Sequence, residues 1–150
     1  MVGLCCGDVG AVIDGIINGA IDCIATDHAP HPGSEKMQEF EKCPFGILGL
    51  ETALGLTLET LVHTGRIPMI KLVELFTAAP ARILKLGRGT LAAGAPGDLT
   101  IFDPKLSWTY DVNKSYSKSR NTPFHGKTFQ GGTIATVVNG VFVYRRDREL

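Results

Sequence analysis

The spacing of apolar positions changes several times along this chain, and each change marks an element. Val9, Val12, Ile13, Ile16 and Ile17 recur at the three-and-four spacing of a helix face, with Asp8 as the N-cap and Asn18-Gly19 as the stop. Ile21-Asp22-Cys23-Ile24-Ala25 follows at once, a short and mostly apolar run of the kind found in strands buried on both faces. A helix feeding through a tight turn into such a strand is the α-to-β half of a βαβ unit. Pro30, Pro32, Gly33, Pro44 and Gly46 then break the periodicity from Asp27 to Gly46, leaving room only for a short helix within Ser34 to Lys42. A βα connection normally takes about 2 to 6 residues, so a loop of this length reads as functional or disordered.

Helical period returns from Ile47 to Val62, with Leu50, Leu54, Leu58 and Leu61 on one stripe and Gly65 at the end. A second helix is predicted from Pro68 through Ile70, Leu72, Val73 and Phe76, because proline is favoured in the first helical turn. Ala79-Pro80-Ala81-Arg82-Ile83-Leu84 opens a shorter third helix that ends near Gly87. Gly89, Gly94, Pro96 and Gly97 then form a linker-like stretch, and strand signals follow at Leu99 to Phe102, Ser107 to Tyr110 and Ile134 to Tyr144. Asn139-Gly140, set between Thr136-Val137-Val138 and Val141-Phe142-Val143, is a strong type I′ hairpin signal. The expected division is therefore residues 1–87, helical with one strand, and residues 88–150, a small β lobe. No internal repeat is evident.

Composition narrows the class. With 150 residues, 44% hydrophobic and 20% charged, the chain suits a globular protein with a real core. Fifteen basic residues balance 15 acidic ones, which leaves no electrostatic footprint for nucleic acid or an anionic membrane. No apolar run approaches the roughly 18 residues of a membrane span, and Met1 to Cys6 lacks the charged start of a signal peptide. Cys5, Cys6, Cys23 and Cys43 have no metal-finger spacing, and Cys23 reads as a small core residue, so a reducing cytoplasm is expected. The mixed-sign cluster Arg145-Arg146-Asp147-Arg148-Glu149 reads as a solvated tail.

The candidate chemistry lies in Ala25-Thr26-Asp27-His28-Ala29-Pro30-His31, at the end of the expected strand. A carboxylate and two imidazoles so placed suit hydrolytic metal chemistry. They also suit a turn-capping Asp and two solvated loop histidines, and the residues by themselves leave both readings open.

Several separated blocks nonetheless agree, in order, with one family. Asp22-Cys23-Ile24-Ala25-Thr26-Asp27-His28-Ala29-Pro30-His31, then Glu35-Lys36, then Pro44-Phe45-Gly46-Ile47-Leu48-Gly49-Leu50-Glu51-Thr52 resemble the C-terminal part of a dihydroorotase of the long bacterial type, within the amidohydrolase superfamily. Gly94-Ala95-Pro96-Gly97-Asp98-Leu99-Thr100-Ile101-Phe102-Asp103, Ser119-Arg120-Asn121-Thr122-Pro123-Phe124-His125-Gly126 and Val138-Asn139-Gly140 are similar to its closing segments. The resemblance implies an α/β fold: the last strand and following helices of a metal-dependent (β/α)8 barrel, plus a small β-sandwich lobe. It implies reversible conversion of N-carbamoyl-L-aspartate to L-dihydroorotate in pyrimidine synthesis, with a pair of zinc ions as cofactor.

By the same resemblance, residues 21–26 would be the eighth barrel strand, and Asp27 would be a metal ligand that also serves as general base and then acid. Barrel chemistry sits at that end of the strands. His31 would contact the substrate, and Phe45 and Gly46 would approach it through their backbone, with the absent Cβ of Gly46 allowing close contact. His28 would support its neighbours or pack the turn, and Glu51 and Thr52 would pack or cap the next helix. His63 reads as a surface residue, His125 as structural, and Trp108 and Tyr110 as core of the β lobe.

A full barrel takes roughly 250 residues, and the family's His-x-His pair, bridging lysine, further metal histidines and substrate-gripping arginine and asparagine have no counterpart here. The expectation is therefore a truncated gene, a gene fragment or a late-assigned start, inactive alone. The alternatives are a non-catalytic dihydroorotase-like partner of aspartate transcarbamoylase, a hydantoinase- or allantoinase-type amidohydrolase, or a translated fragment without function. Between the enzymes, His31 and Glu35-Lys36 favour dihydroorotase. Association with aspartate transcarbamoylase or with further copies of the chain is the partner expectation.

Overall fold

A computed structural model describes residues 6–146. Met1 to Cys5 and residues 147–150, which include most of the expected C-terminal tail, lie outside the described residues. The element order is α1 (Cys6–Asn18), α2 (Gly33–Lys36), α3 (Ala53–Thr57) continued by a π-helical turn (Leu58–Val62), α4 (Met69–Phe76), α5 (Ala78–Ile83), β1 (Leu99–Thr109), a 3-10 turn (Val112–Lys114), β2 (Thr128–Val138) and β3 (Val141–Arg145).

Local signals place several boundaries as expected. Gly19 (φ 82°) stops α1 and Gly65 (φ 72°) follows the π turn. Asp8, expected as the N-cap, instead lies inside the first turn of α1, where its charge complements the positive helix end. Pro68 is the N-cap of α4 in extended conformation (φ −73°, ψ 156°), not a residue of its first turn. On α4, Lys71 donates to Glu74 at 3.0 Å and holds that carboxyl below the usual carboxylate range. Helix α5 closes with Lys85 in the left-handed region (φ 54°) and the Leu86 N–H donating to the Ala81 carbonyl at 2.8 Å.

Two expected elements differ. Residues 21–25 run without a strand ladder; the Ile24 N–H donates to the Leu75 carbonyl at 3.1 Å, and nearby an isolated parallel bridge joins His28 and Ile47. A parallel strand needs flanking strands, and no described residues supply them. The long helix expected from Ile47 begins only at Ala53. The amides of residues 48–50 are held elsewhere: Leu48 donates to the Asn121 carbonyl, and Gly49 and Leu50 donate to His28 Nδ1. Leu50 consequently falls off the leucine stripe and is 64% exposed, whereas Leu58 and Leu61 are buried.

The C-terminal portion is a three-stranded antiparallel sheet in the order β1-β2-β3. Asn139 (φ 50°) and Gly140 (φ 78°) form the turn between β2 and β3, as a type I′ turn requires. The two strand signals at 99–102 and 107–110 belong to one long strand, β1, whose pairing with β2 shifts register between them. Arg145 and Arg146 are not a loose tail. Arg145 lies over the Phe142 ring, and Arg146 lies over Trp108 and donates to the Thr133 carbonyl.

Two apolar clusters organise the molecule. Ile13 and Ile16 of α1 meet Leu58 and Leu61 of the π turn, Ile67, and Leu72 and Leu75 of α4. Leu48, Tyr110, Val112 and Phe129 form the second, with Trp108 and Phe124 against it. Tyr110 meets Trp108 edge-on at 6.1 Å, so the aromatic pair fills the sheet's core as expected. Gly55 lets α3 lie on β2: a Cβ there would stand 2.9 Å from the Phe129 ring.

Candidate functional site

The residues singled out by sequence fall on the segment 27–50, which leaves the first helix–loop unit and returns to α3. Asp27 opens it in the left-handed conformation (φ 45°). Asn and Asp tolerate that region better than other residues with a Cβ. Its carboxylate is exposed and makes no hydrogen bond or ion pair with any described residue. The other left-handed residues with side chains, Lys85 and Asn139, sit at a helix end and a hairpin turn. Asp27 sits at neither, which distinguishes it from an ordinary turn residue.

His28 turns inward. Its Nδ1 accepts from the Gly49 N–H at 3.1 Å and from the Leu50 N–H at 3.4 Å, and so shapes the turn that leads into α3. Beside it the Ala29 N–H donates to the Ile47 carbonyl at 3.0 Å.

His31 is held at both ring nitrogens, with Nε2 2.9 Å from the Phe45 carbonyl and Nδ1 3.2 Å from Glu35 Oε2. Carbonyl and carboxylate are both acceptors, so both bonds form together only when each ring nitrogen carries a hydrogen. Gly46 adjoins this corner with φ 109°, and a Cβ there would stand 2.4 Å from the Ala29 Cβ. The expected reason for glycine was approach to a substrate. The geometry gives another: the strand-like segment at Ala29 already fills the space.

Residues that sequence reasoning left without a role complete the corner. Lys36 Nζ donates to the Pro44 and Gly46 carbonyls at 2.6 and 2.7 Å. Asn121, from the loop before β2, accepts from the His31 N–H at 3.1 Å through Oδ1 and donates through Nδ2 to Ala29 and Gly46 carbonyls at 2.8 and 3.2 Å. Glu51 does not cap α3; its carboxylate accepts from Ser115 Oγ and the Tyr116 N–H at 2.7 and 3.0 Å, tying the same distant loop down. Thr52 is buried at the N-cap of α3 but makes no side-chain cap bond. The structure thus brings His31, Phe45 and Gly46 together, with Asp27 apart from their hydrogen-bond network. His63 is exposed at the helix end, and His125 Nδ1 accepts from the Val112 N–H, a structural contact.

As a metal site these residues are insufficient. Among the described residues no group of three or more His, Cys, Asp or Glu side chains could hold an ion. His28 and His31 spend ring nitrogens on the loop itself, and Asp27 is one carboxylate where a tight site needs about four donors.

A family model described as the amidohydrolase family matches residues 6–143. The chain belongs to the amidohydrolase family. It is 62% identical over 141 residues to a dihydroorotase of Solibacter usitatus, covering 94% of this chain and 33% of that protein. A dihydroorotase of Endomicrobium trichonymphae is 47% identical over 139 residues, covering 92% of the chain and 33% of its own length. Among solved structures, an L-hydantoinase (dihydropyrimidinase) of Arthrobacter aurescens aligns with TM-score 0.85 and 30% identity, over 95% of this chain and 33% of that one. This amidohydrolase chain therefore spans about a third of the length of the relatives it matches. No described helix is long and apolar enough to cross a membrane.

Proposed function

We propose that this chain is the C-terminal part of a dihydroorotase, the last barrel segment and the β lobe of an enzyme that interconverts N-carbamoyl-L-aspartate and L-dihydroorotate. Residues 1–87 would then belong to the (β/α)8 barrel and residues 88–150 to a β sandwich of which β1–β3 form one layer. The 62% identity to a dihydroorotase supports this reading over the hydantoinase one, for which the structural likeness comes with 30% identity.

The observation that carries the site is the carboxylate of Asp27, unbonded among the described residues and held on a left-handed residue at the mouth of a loop tied down by its own side chains and by Asn121. Opening a cyclic amide requires a group that takes a proton from the attacking water and returns it to the departing ring nitrogen. Asp27 is the carboxylate available for both transfers. His31 would meet a substrate carboxylate, with charge assistance when its ring is cationic. Since both ring nitrogens are occupied, the incoming carboxylate would take the place of Glu35 at Nδ1. Phe45 and Gly46 line the same corner through their backbone.

The family's zinc ions would need donors from the remainder of the longer protein, with Asp27 contributing one. The same holds for any contact with aspartate transcarbamoylase or with further copies of the chain, and a cytoplasmic setting suits a soluble pyrimidine-forming enzyme. In the complete enzyme, Asp27→Ala is expected to abolish dihydroorotate turnover, whereas His31→Ala raises KM more than it lowers kcat. Steady-state kinetics of both variants tests this, and near-normal turnover by Asp27→Ala would refute the catalytic assignment.

A further inference from the structure

We propose that Asn121 and Lys36 are positioning residues that grip one carbonyl, that of Gly46, from two sides and thereby fix the His31–Gly46 corner. This builds on the dihydroorotase reading, because it concerns how the corner assigned to substrate is held.

The geometry sets these two residues apart. Asn121 uses its amide as an acceptor for one main-chain N–H, that of His31, and as a donor to two main-chain carbonyls, those of Ala29 and Gly46. Only one orientation of the amide satisfies all three partners, so the side chain acts as a keyed plug between the two loop segments. Its own carbonyl accepts from the Leu48 N–H at 3.0 Å, which makes this residue a bridge to both sides of the corner. Lys36 reaches the Gly46 carbonyl from the α2 side and binds the Pro44 carbonyl as well. Between those two carbonyls lies Phe45, whose own carbonyl holds His31 Nε2.

A lysine ammonium in water prefers full hydration. Here it is partly buried and satisfied by main-chain oxygens, with no carboxylate partner among the described residues, an arrangement that fixes backbone rather than balances charge. Asn121 lies 75 residues beyond Gly46 in sequence, so the sheet side of the molecule, through this one amide, sets the shape of the corner. Without these two clamps the Gly46 carbonyl has no other side-chain donor among the described residues, and the Phe45 carbonyl beside it would shift from the position in which it meets His31 Nε2.

The test is residue-resolved amide hydrogen exchange on the chain, together with the 15N signals of the His31 imidazole. Asn121→Ala is expected to speed exchange at the His31 amide by about fivefold, the scale of one lost hydrogen bond. Lys36→Met should shift the His31 ring signals as the Phe45 carbonyl moves, and Lys36→Arg, which keeps the donors, should restore them. The double variant should perturb the ring more than the sum of the single ones, since both side chains hold the same carbonyl. The Ile24 and Tyr110 amides, bonded to Leu75 and Lys127, should keep their wild-type rates. An unchanged His31 amide in Asn121→Ala, unchanged ring signals in Lys36→Met, or equal acceleration at Ile24 and Tyr110 would overturn the proposal. Lack of turnover in the complete enzyme would defeat the dihydroorotase reading and leave these exchange results standing.

Discussion

At Gly46 a single methyl group decides whether the loop can close. Its φ of 109° already disfavours a side chain, and a Cβ would collide with that of Ala29 at 2.4 Å. Gly46→Ala should therefore destabilise the chain by about 1–3 kcal/mol. Chemical denaturation measures this, and an unchanged midpoint would contradict it. Asp27 predicts the opposite combination. Asp27→Asn keeps a residue that accepts the left-handed conformation and removes an exposed, unpaired charge, so stability should change by less than about 0.5 kcal/mol while turnover in the complete enzyme is lost. That His31, Phe45 and Gly46 fall on one loop is legible, since the prolines and glycines between Asp27 and Gly46 break the helical period. The clamps were not: nothing local to Asn121 points across 90 residues to His31.

The elements show the same division between local and distant causes. The Asn139-Gly140 turn and the stop of α1 at Gly19 depend on neighbouring residues and are readable from them, whereas α5 ends at Ile83 through a left-handed Lys85, short of the expected stop near Gly87. The start of α3 depends on His28 and Asn121, which remove the amides of residues 48–50 from the helix, and a leucine period cannot reveal that. A contrast on that stripe tests the assignment. Leu58 is fully buried, seated where Gly131 (φ 101°) leaves room for its Cδ1, so Leu58→Ala should cost about 2–5 kcal/mol. Leu50→Ala, at 64% exposure, should cost less than about 0.5 kcal/mol. Equal losses in thermal or urea unfolding would mean that Leu50 belongs to the helix after all. The expected strand at 21–25 failed for a related reason. Its apolar run suits burial between parallel neighbours, and the described residues contain none.

At the scale of the molecule, the chain carries apolar surface on several elements at once. Val9, Val12 and Ile17 of α1, Ile70 of α4, and Val141, Phe142 and Val143 of β3 are all at least 44% exposed. That pattern fits a chain spanning a third of the length of its amidohydrolase relatives, and so does the lack of a metal-holding cluster among the described residues. The chain alone is accordingly expected to bind less than one zinc per molecule and to leave dihydroorotate unhydrolysed. The most direct test assays dihydroorotate hydrolysis and bound metal for the purified chain, alone and combined with the other two thirds of a dihydroorotase relative. The account predicts no activity alone, and activity in the combination that Asp27→Asn abolishes. Stoichiometric metal with turnover by the chain alone, or full turnover in the Asp27→Asn combination, would contradict it.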